Sequence, residues 1–161
     1  MFNLHKSKKI AIVSAAIVAV LLWILIKRKM KKSYFTIDEL CVTSQKGIDN
    51  TPTPEARKNL QQLIDNVLNP AREEYGQPIF VSSGYRSPAV NKAVGGVSNS
   101  QHMKGQAADL QTRQGTQANR ALFNIIKRQG NFDQLINEYN YSWVHVSYNP
   151  NGNRGQILNI S

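Results

Sequence analysis

Residues 78–109 read PIFVSSGYRSPAVNKAVGGVSNSQHMKGQAAD, and the fold turns on how this stretch divides. Its opening, Pro78 to Ser83, is apolar and short, as expected of a buried strand running into a turn at Gly84-Tyr85. The next part, through Asn91, Gly95-Gly96 and Ser98-Asn99-Ser100, is polar and glycine-rich. It reads as a loop, and a loop of this composition inside a compact domain is uncommon unless it carries function. His102 and Asp109 stand seven apart with Gly105 between them. A glycine there lets the backbone double back, so that side chains on the two limbs converge on one point.

On either side the pattern is more regular. Upstream, Thr53-Pro54-Glu55 is a helix start, with a capping hydroxyl and a proline in the first turn. Leu60, Leu63, Ile64, Val67 and Leu68 come next at helical spacing. Pro70 interrupts, and a restart through Ala71 to Tyr75 ends at Gly76. Downstream, a second amphipathic helix is predicted from about Gln117 to Arg128, with Ala121, Leu122, Ile125 and Ile126 inward and Gly130 as its stop. Phe132 to Tyr139 and Trp143 to Tyr148 read as two strands joined across Asn140-Tyr141-Ser142. Helices and strands do not alternate regularly and the strand pair is hairpin-like. The fold class expected is therefore α+β, a small antiparallel sheet with flanking helices. No internal repeat or low-complexity tract is present.

The predicted strand Trp143-Val144-His145-Val146-Ser147 supplies a third polar candidate. Alternation places Val144 and Val146 on one face and Trp143, His145 and Ser147 on the other. Two imidazoles and a carboxylate suit Zn²⁺, which takes nitrogen and oxygen donors tetrahedrally and with three protein ligands keeps a position for water. Each residue also has an ordinary role, His102 in a turn and Asp109 as a cap, and spacing alone does not choose between them.

The charge is distributed unevenly. Of 20 Lys and Arg, eight lie in residues 1–33, which hold no acid, whereas residues 34–161 carry 12 basic and 10 acidic side chains. The formal +10 is thus concentrated around residues 10–26, IAIVSAAIVAVLLWILI, and gives no support to nucleic-acid binding. At about 1.5 Å per residue this uncharged run is long enough to cross most of a bilayer core. It lacks the small-residue cleavage site of a signal peptide and ends in a basic block. The expectation is a single-pass membrane protein: residues 1–33 as basic-flanked anchor and linker, in contact with the lipid bilayer, and 34–161 as the folded domain. The domain is expected outside the cytoplasm or in a phage virion, although five cations after the run against three before it lean the other way. The single cysteine, Cys41, excludes an intramolecular disulfide.

Three separated motifs bring a resemblance. Ser83-Gly84-Tyr85-Arg86-Ser87, then Ser100-x-His102-x-x-Gly105-x-Ala107-x-Asp109, then Trp143-x-His145 resemble, in order, the M15 family of zinc peptidases. These are D-alanyl-D-alanine carboxypeptidases and peptidoglycan endopeptidases, and the likeness is greatest to the short form found in bacteria and phages. The resemblance covers nearly all of residues 34–161 and implies a Hedgehog/DD-peptidase-like fold. It implies zinc ligands at His102, Asp109 and His145, and substrate contacts from Arg86, whose planar fork suits a carboxylate, with Ser100 and Tyr85 nearby. Many members carry an acid three residues before the last histidine, where this chain has Ser142. Glu138, on the strand predicted to pair with that of His145, is the expected general base, with Asp133 as the fallback. The activity implied is hydrolysis of peptidoglycan stem peptides, by a carboxypeptidase or an endopeptidase. Against it stands a noncatalytic, zinc-stabilised binding or virion structural module, which the serine at 142 favours.

Overall fold

The structure, a computed structural model, describes residues 17, 18 and 32–161. The chain divides between Lys32 and Ser33, and Ser33–Ser161 form one compact unit. That unit opens with a single turn, α1 (Ile37–Leu40), capped by the Thr36 hydroxyl, which accepts from the Glu39 amide. Next comes the helix expected at Thr53. Its hydroxyl accepts from the Ala56 amide at 3.1 Å, and α2 runs over Pro54–Leu63.

Pro70 does not break the helical run. A π-helical segment, Ile64–Leu68, joins α2 to α3 (Asn69–Tyr75), which ends on left-handed Gly76. Proline cannot supply the amide that the carbonyl four residues back would receive in an α-helix. Here that carbonyl belongs to Asn66, and the Asn131 side-chain amide donates to it at 3.1 Å. Widening the turn just before the proline keeps the apolar stripe continuous. Leu60, Leu63, Ile64, Val67 and Leu68 are all buried.

The sheet has five strands in the order β1-β2-β4-β3-β5: β1 (Phe80–Ser83), β2 (Ala107–Gln111), β3 (Gln134–Glu138), β4 (Trp143–Ser147) and β5 (Gln156–Ile160). Pairing is antiparallel except between β3 and β5, which run parallel. The α+β class and the hairpin of β3 with β4 agree with expectation. The polar stretch, expected as a loop, instead contains a helix, α4 (Pro88–Ala93), a 3₁₀ turn (Gln101–Lys104) and the interior strand β2. β2 escapes the strand pattern because Ala107 and Ala108 are poor strand formers, and burial on both faces compensates for their weak propensity.

The two faces of the sheet differ. Ala108, Leu110, Leu135, Val144 and Val146 point into the core, where they pack with the buried side of α2–α3 and with Leu122, Phe123 and Ile126 of α5 (Thr116–Gln129). Asp109 and His145, one residue out of phase, face the other way.

Among the described residues no helix is long and apolar enough to cross a membrane. This corrects the expectation of a single-pass membrane protein. The longest helical stretch described, 54–75, exposes Arg57, Lys58, Asp65, Glu73 and Glu74, so it suits the domain surface and not hydrocarbon. The run 10–26 lies outside the described residues except for 17 and 18, which are helical.

A buried clamp ties α5 to the β3–β4 turn. The Asn119 side-chain oxygen accepts from the Thr112 amide and hydroxyl at 2.8 and 2.9 Å, and its amide donates to the carbonyls of Tyr141 and Ser142. Those bonds hold a turn in which Tyr139, Asn140 and Tyr141 all have positive φ. Replacing Asn119 with Ala leaves buried partners unsatisfied and is expected to cost roughly 2 kcal/mol or more. Urea denaturation measures this, and a loss below about 0.5 kcal/mol, the range of an ordinary surface change, would contradict it.

Candidate metal centre

The site is built on the face of the sheet turned away from α5. Register places Asp109 of β2 directly opposite His145 of β4, and on its other side Asp109 pairs with Ser83 of β1. His102 arrives from outside the sheet on the 3₁₀ turn. Ser100 caps that turn, its hydroxyl accepting from the His102 amide at 3.3 Å.

Two glycines let this turn close. Gly105 ends it at φ 68° and ψ 24°, and a Cβ there would lie 2.3 Å from the Ala56 carbonyl oxygen of α2. A Cβ on Gly84 would come equally close to the Leu40 carbonyl oxygen, and the Gly84 carbonyl receives His102 Nδ1 at 2.7 Å. A carbonyl only accepts, so Nδ1 carries a proton and the Nε2 of neutral His102 presents its lone pair inward.

That nitrogen, His145 Nδ1 and Asp109 Oδ1 form a triangle. Its edges are 3.3 Å between the imidazoles, 2.9 Å from His145 to Asp109 and 3.4 Å from His102 to Asp109. Tetrahedral donors about 2.0–2.1 Å from one zinc ion sit about 3.3–3.4 Å apart. The triangle is therefore close to the size one ion requires. All three residues are buried and together can hold a metal ion. Two nitrogens and a hard carboxylate oxygen select zinc over calcium or magnesium, which prefer all-oxygen shells.

Arg86 completes the cluster from behind. Its Nη2 donates to Asp109 Oδ2 at 2.6 Å and its Nε to Ser83 Oγ at 2.8 Å. The carboxylate thus turns one oxygen to the guanidinium and the other to the imidazoles. Burial works to raise the Asp109 carboxyl. The neighbouring His102 and His145 outweigh it and hold the group well below the usual carboxylate range.

The other sequence candidates fall into place around this centre. Glu138 pairs with Trp143 and Ile136 with His145, so Glu138 lies diagonally from His145 on the same face, a spacing that long side chains can bridge. Burial pushes its carboxyl above the ordinary range; His145 draws it back and Asp109 pushes it further up. Ser142 is exposed, its hydroxyl donating to the Tyr139 carbonyl. Asp133 is occupied elsewhere, bonded by Arg154 and Gln101. Tyr85 is a core residue that also edges a cavity of about 240 Å³ beside Arg86, with Val42, Thr43, Ser83 and Val94 on its other walls.

Residues 33–147 match the peptidase M15 family. The chain belongs to the peptidase M15 family. A zinc D-Ala-D-Ala carboxypeptidase from Streptomyces albus G is 59% identical over 34 residues, which span 21% of this chain and 13% of that protein. This member of the family thus shares a short, strongly similar segment with a relative of which it matches only a small part.

The supporting residues Gly84, Ser83 and Asn119 were not anticipated in these roles. Asn119 had a signal, a polar residue in line with Leu122 and Ile126 on the buried face of its helix. Gly84 acts through its backbone carbonyl, which no side-chain pattern reveals. Gly105→Ala is expected to cost at least the roughly 1–2 kcal/mol of a left-handed non-glycine residue and to lower bound zinc by displacing His102. Denaturation and metal analysis test this; unchanged stability and full zinc content would contradict it.

Proposed function

We propose that this chain is a zinc metallopeptidase acting on peptidoglycan stem peptides, with His102, Asp109 and His145 as the metal ligands and Glu138 as general base. The observation that carries the reading is the triangle of donors with a carboxylate of raised pKa diagonal to it on the same sheet face. The family and the zinc carboxypeptidase relative supply the substrate class. Either removal of a terminal D-alanine or cleavage of a cross-link fits the site.

Zinc, when bound, supplies Lewis acidity to the scissile carbonyl and to the attacking water. Glu138 accepts a proton from that water and returns it to the departing amine, so no net proton is lost. Burial raises its pKa above the ordinary carboxylate range, the direction that suits a group that both takes and gives a proton. Arg86 fixes Asp109, and its two bonds to Asp109 and Ser83 use two of its five donors. The remaining fork faces the adjoining cavity, suited to a substrate carbonyl or carboxylate. Ser100 contributes by holding the His102 turn, and Tyr85 by shaping the cavity wall.

The competing reading, a noncatalytic zinc-stabilised module, draws on Ser142 at the position where many relatives carry an acid. Glu138→Gln separates the two. It is expected to lower turnover of a purified muropeptide by at least 10²-fold, in line with loss of a general base, with zinc content unchanged. Turnover at the wild-type rate would remove Glu138 from the mechanism, and no cleavage of any muropeptide by the wild-type chain would favour the module.

A further inference from the structure

Asp133 is the most enclosed acid of the domain, its side chain 1% exposed, and the mechanism above does not use it. Its carboxylate gathers donors from two separate parts of the chain. Arg154 gives its backbone amide to Oδ1 at 3.0 Å, its Nε to Oδ1 and Oδ2 at 3.0 and 3.2 Å, and its Nη2 to Oδ2 at 2.6 Å. Gln101 gives Nε2 to Oδ2 at 2.9 Å. The Asp133 main chain is fixed as well: its amide donates to the Ser147 carbonyl, and its carbonyl receives the Gln156 amide.

The geometry points to Asp133 as a positioning residue for the metal ligands, with Arg154 and Gln101 as its two arms. Gln101 immediately precedes His102 in the 3₁₀ turn, and Ser147 lies two residues beyond His145 on β4. One residue therefore braces both elements, its carboxylate the turn that carries one imidazole and its backbone amide the strand that carries the other. Arg154 lies beyond residue 147, where the family match ends, so the C-terminal segment is tied to the metal centre across that boundary. A buried carboxylate needs nearly all its acceptor capacity filled, and the bond from Gln101 can be kept only while the turn stays seated. Groups that orient metal ligands from behind typically change metal affinity by 10–100-fold when removed.

This inference rests on the ligand assignment proposed above and not on catalysis. The test uses the full chain, with zinc affinity measured by chelator competition and the visible spectrum of the cobalt-substituted protein as a second readout. Gln101→Ala and Arg154→Ala are each expected to weaken zinc about ten-fold or more and to alter the cobalt spectrum. The double variant should fall short of the summed effects, because both arms act through the same carboxylate. Asn159→Ala is the control. It removes an Asn137–Asn159 bond from the same β3–β5 pair without touching Asp133, and should bind zinc as the wild type does. Wild-type affinity and spectrum in both arm variants, whatever happens to their melting temperatures, would overturn the proposal. So would an equal loss in the control. A wild-type chain that binds no zinc would instead sink the ligand assignment itself.

Discussion

The Asp109 carboxylate is the contact on which the rest of the site depends. It is buried in the middle of a sheet, where an unpaired negative charge would cost several kcal/mol. The surroundings are arranged accordingly. Arg86 takes one oxygen, and the imidazoles of His102 and His145 gather at the other. A cation among those three donors would complete the compensation, since three inward-facing acceptors have too few protons to satisfy one another. The metal is then part of the electrostatic balance of the fold as well as of its chemistry.

Holding that arrangement makes unusual demands on the backbone. His102 reaches Asp109 only because the turn between them folds back tightly against α2, and Gly105 meets both the dihedral and the contact requirement. Gly84 lets β1 pass close to Leu40 and offers a carbonyl that fixes the His102 tautomer. The sheet provides the opposite kind of constraint. Cross-strand register sets Asp109 against His145, and slipping either strand by one residue would turn its ligand into the apolar core. The same alternation keeps Val144 and Val146 beneath the helices, so packing of the core and aim of the ligands cannot be changed separately.

Much of this could be read from sequence where the signal is periodic. The apolar stripe from Leu60 to Leu68, the helix ending at Gly130 and the hairpin placing Glu138 near His145 all derive from spacing. β2 was hidden because its residues are small and polar, and its strand character comes from being held between β1 and β4. β5 was hidden too, being an exposed edge strand whose Ile157, Leu158 and Ile160 do not alternate regularly, paired parallel to a distant segment. The fate of Asp133 could not be anticipated, since its partners Gln101 and Arg154 lie 32 and 21 residues away. The apolar run 10–26 gives a strong local hydropathy signal but, apart from residues 17 and 18, lies outside the described residues, among which no helix has the length and apolarity to cross a membrane.

X-ray absorption at the zinc edge of the metal-loaded full chain tests the central claim most directly. Two imidazoles and oxygen donors are expected, with bonds of about 2.0–2.1 Å and the outer-shell scattering of two histidine rings. A sulfur neighbour near 2.3 Å, which only a cysteine such as Cys41 would supply, or the absence of imidazole scattering, would contradict a site made of His102, Asp109 and His145.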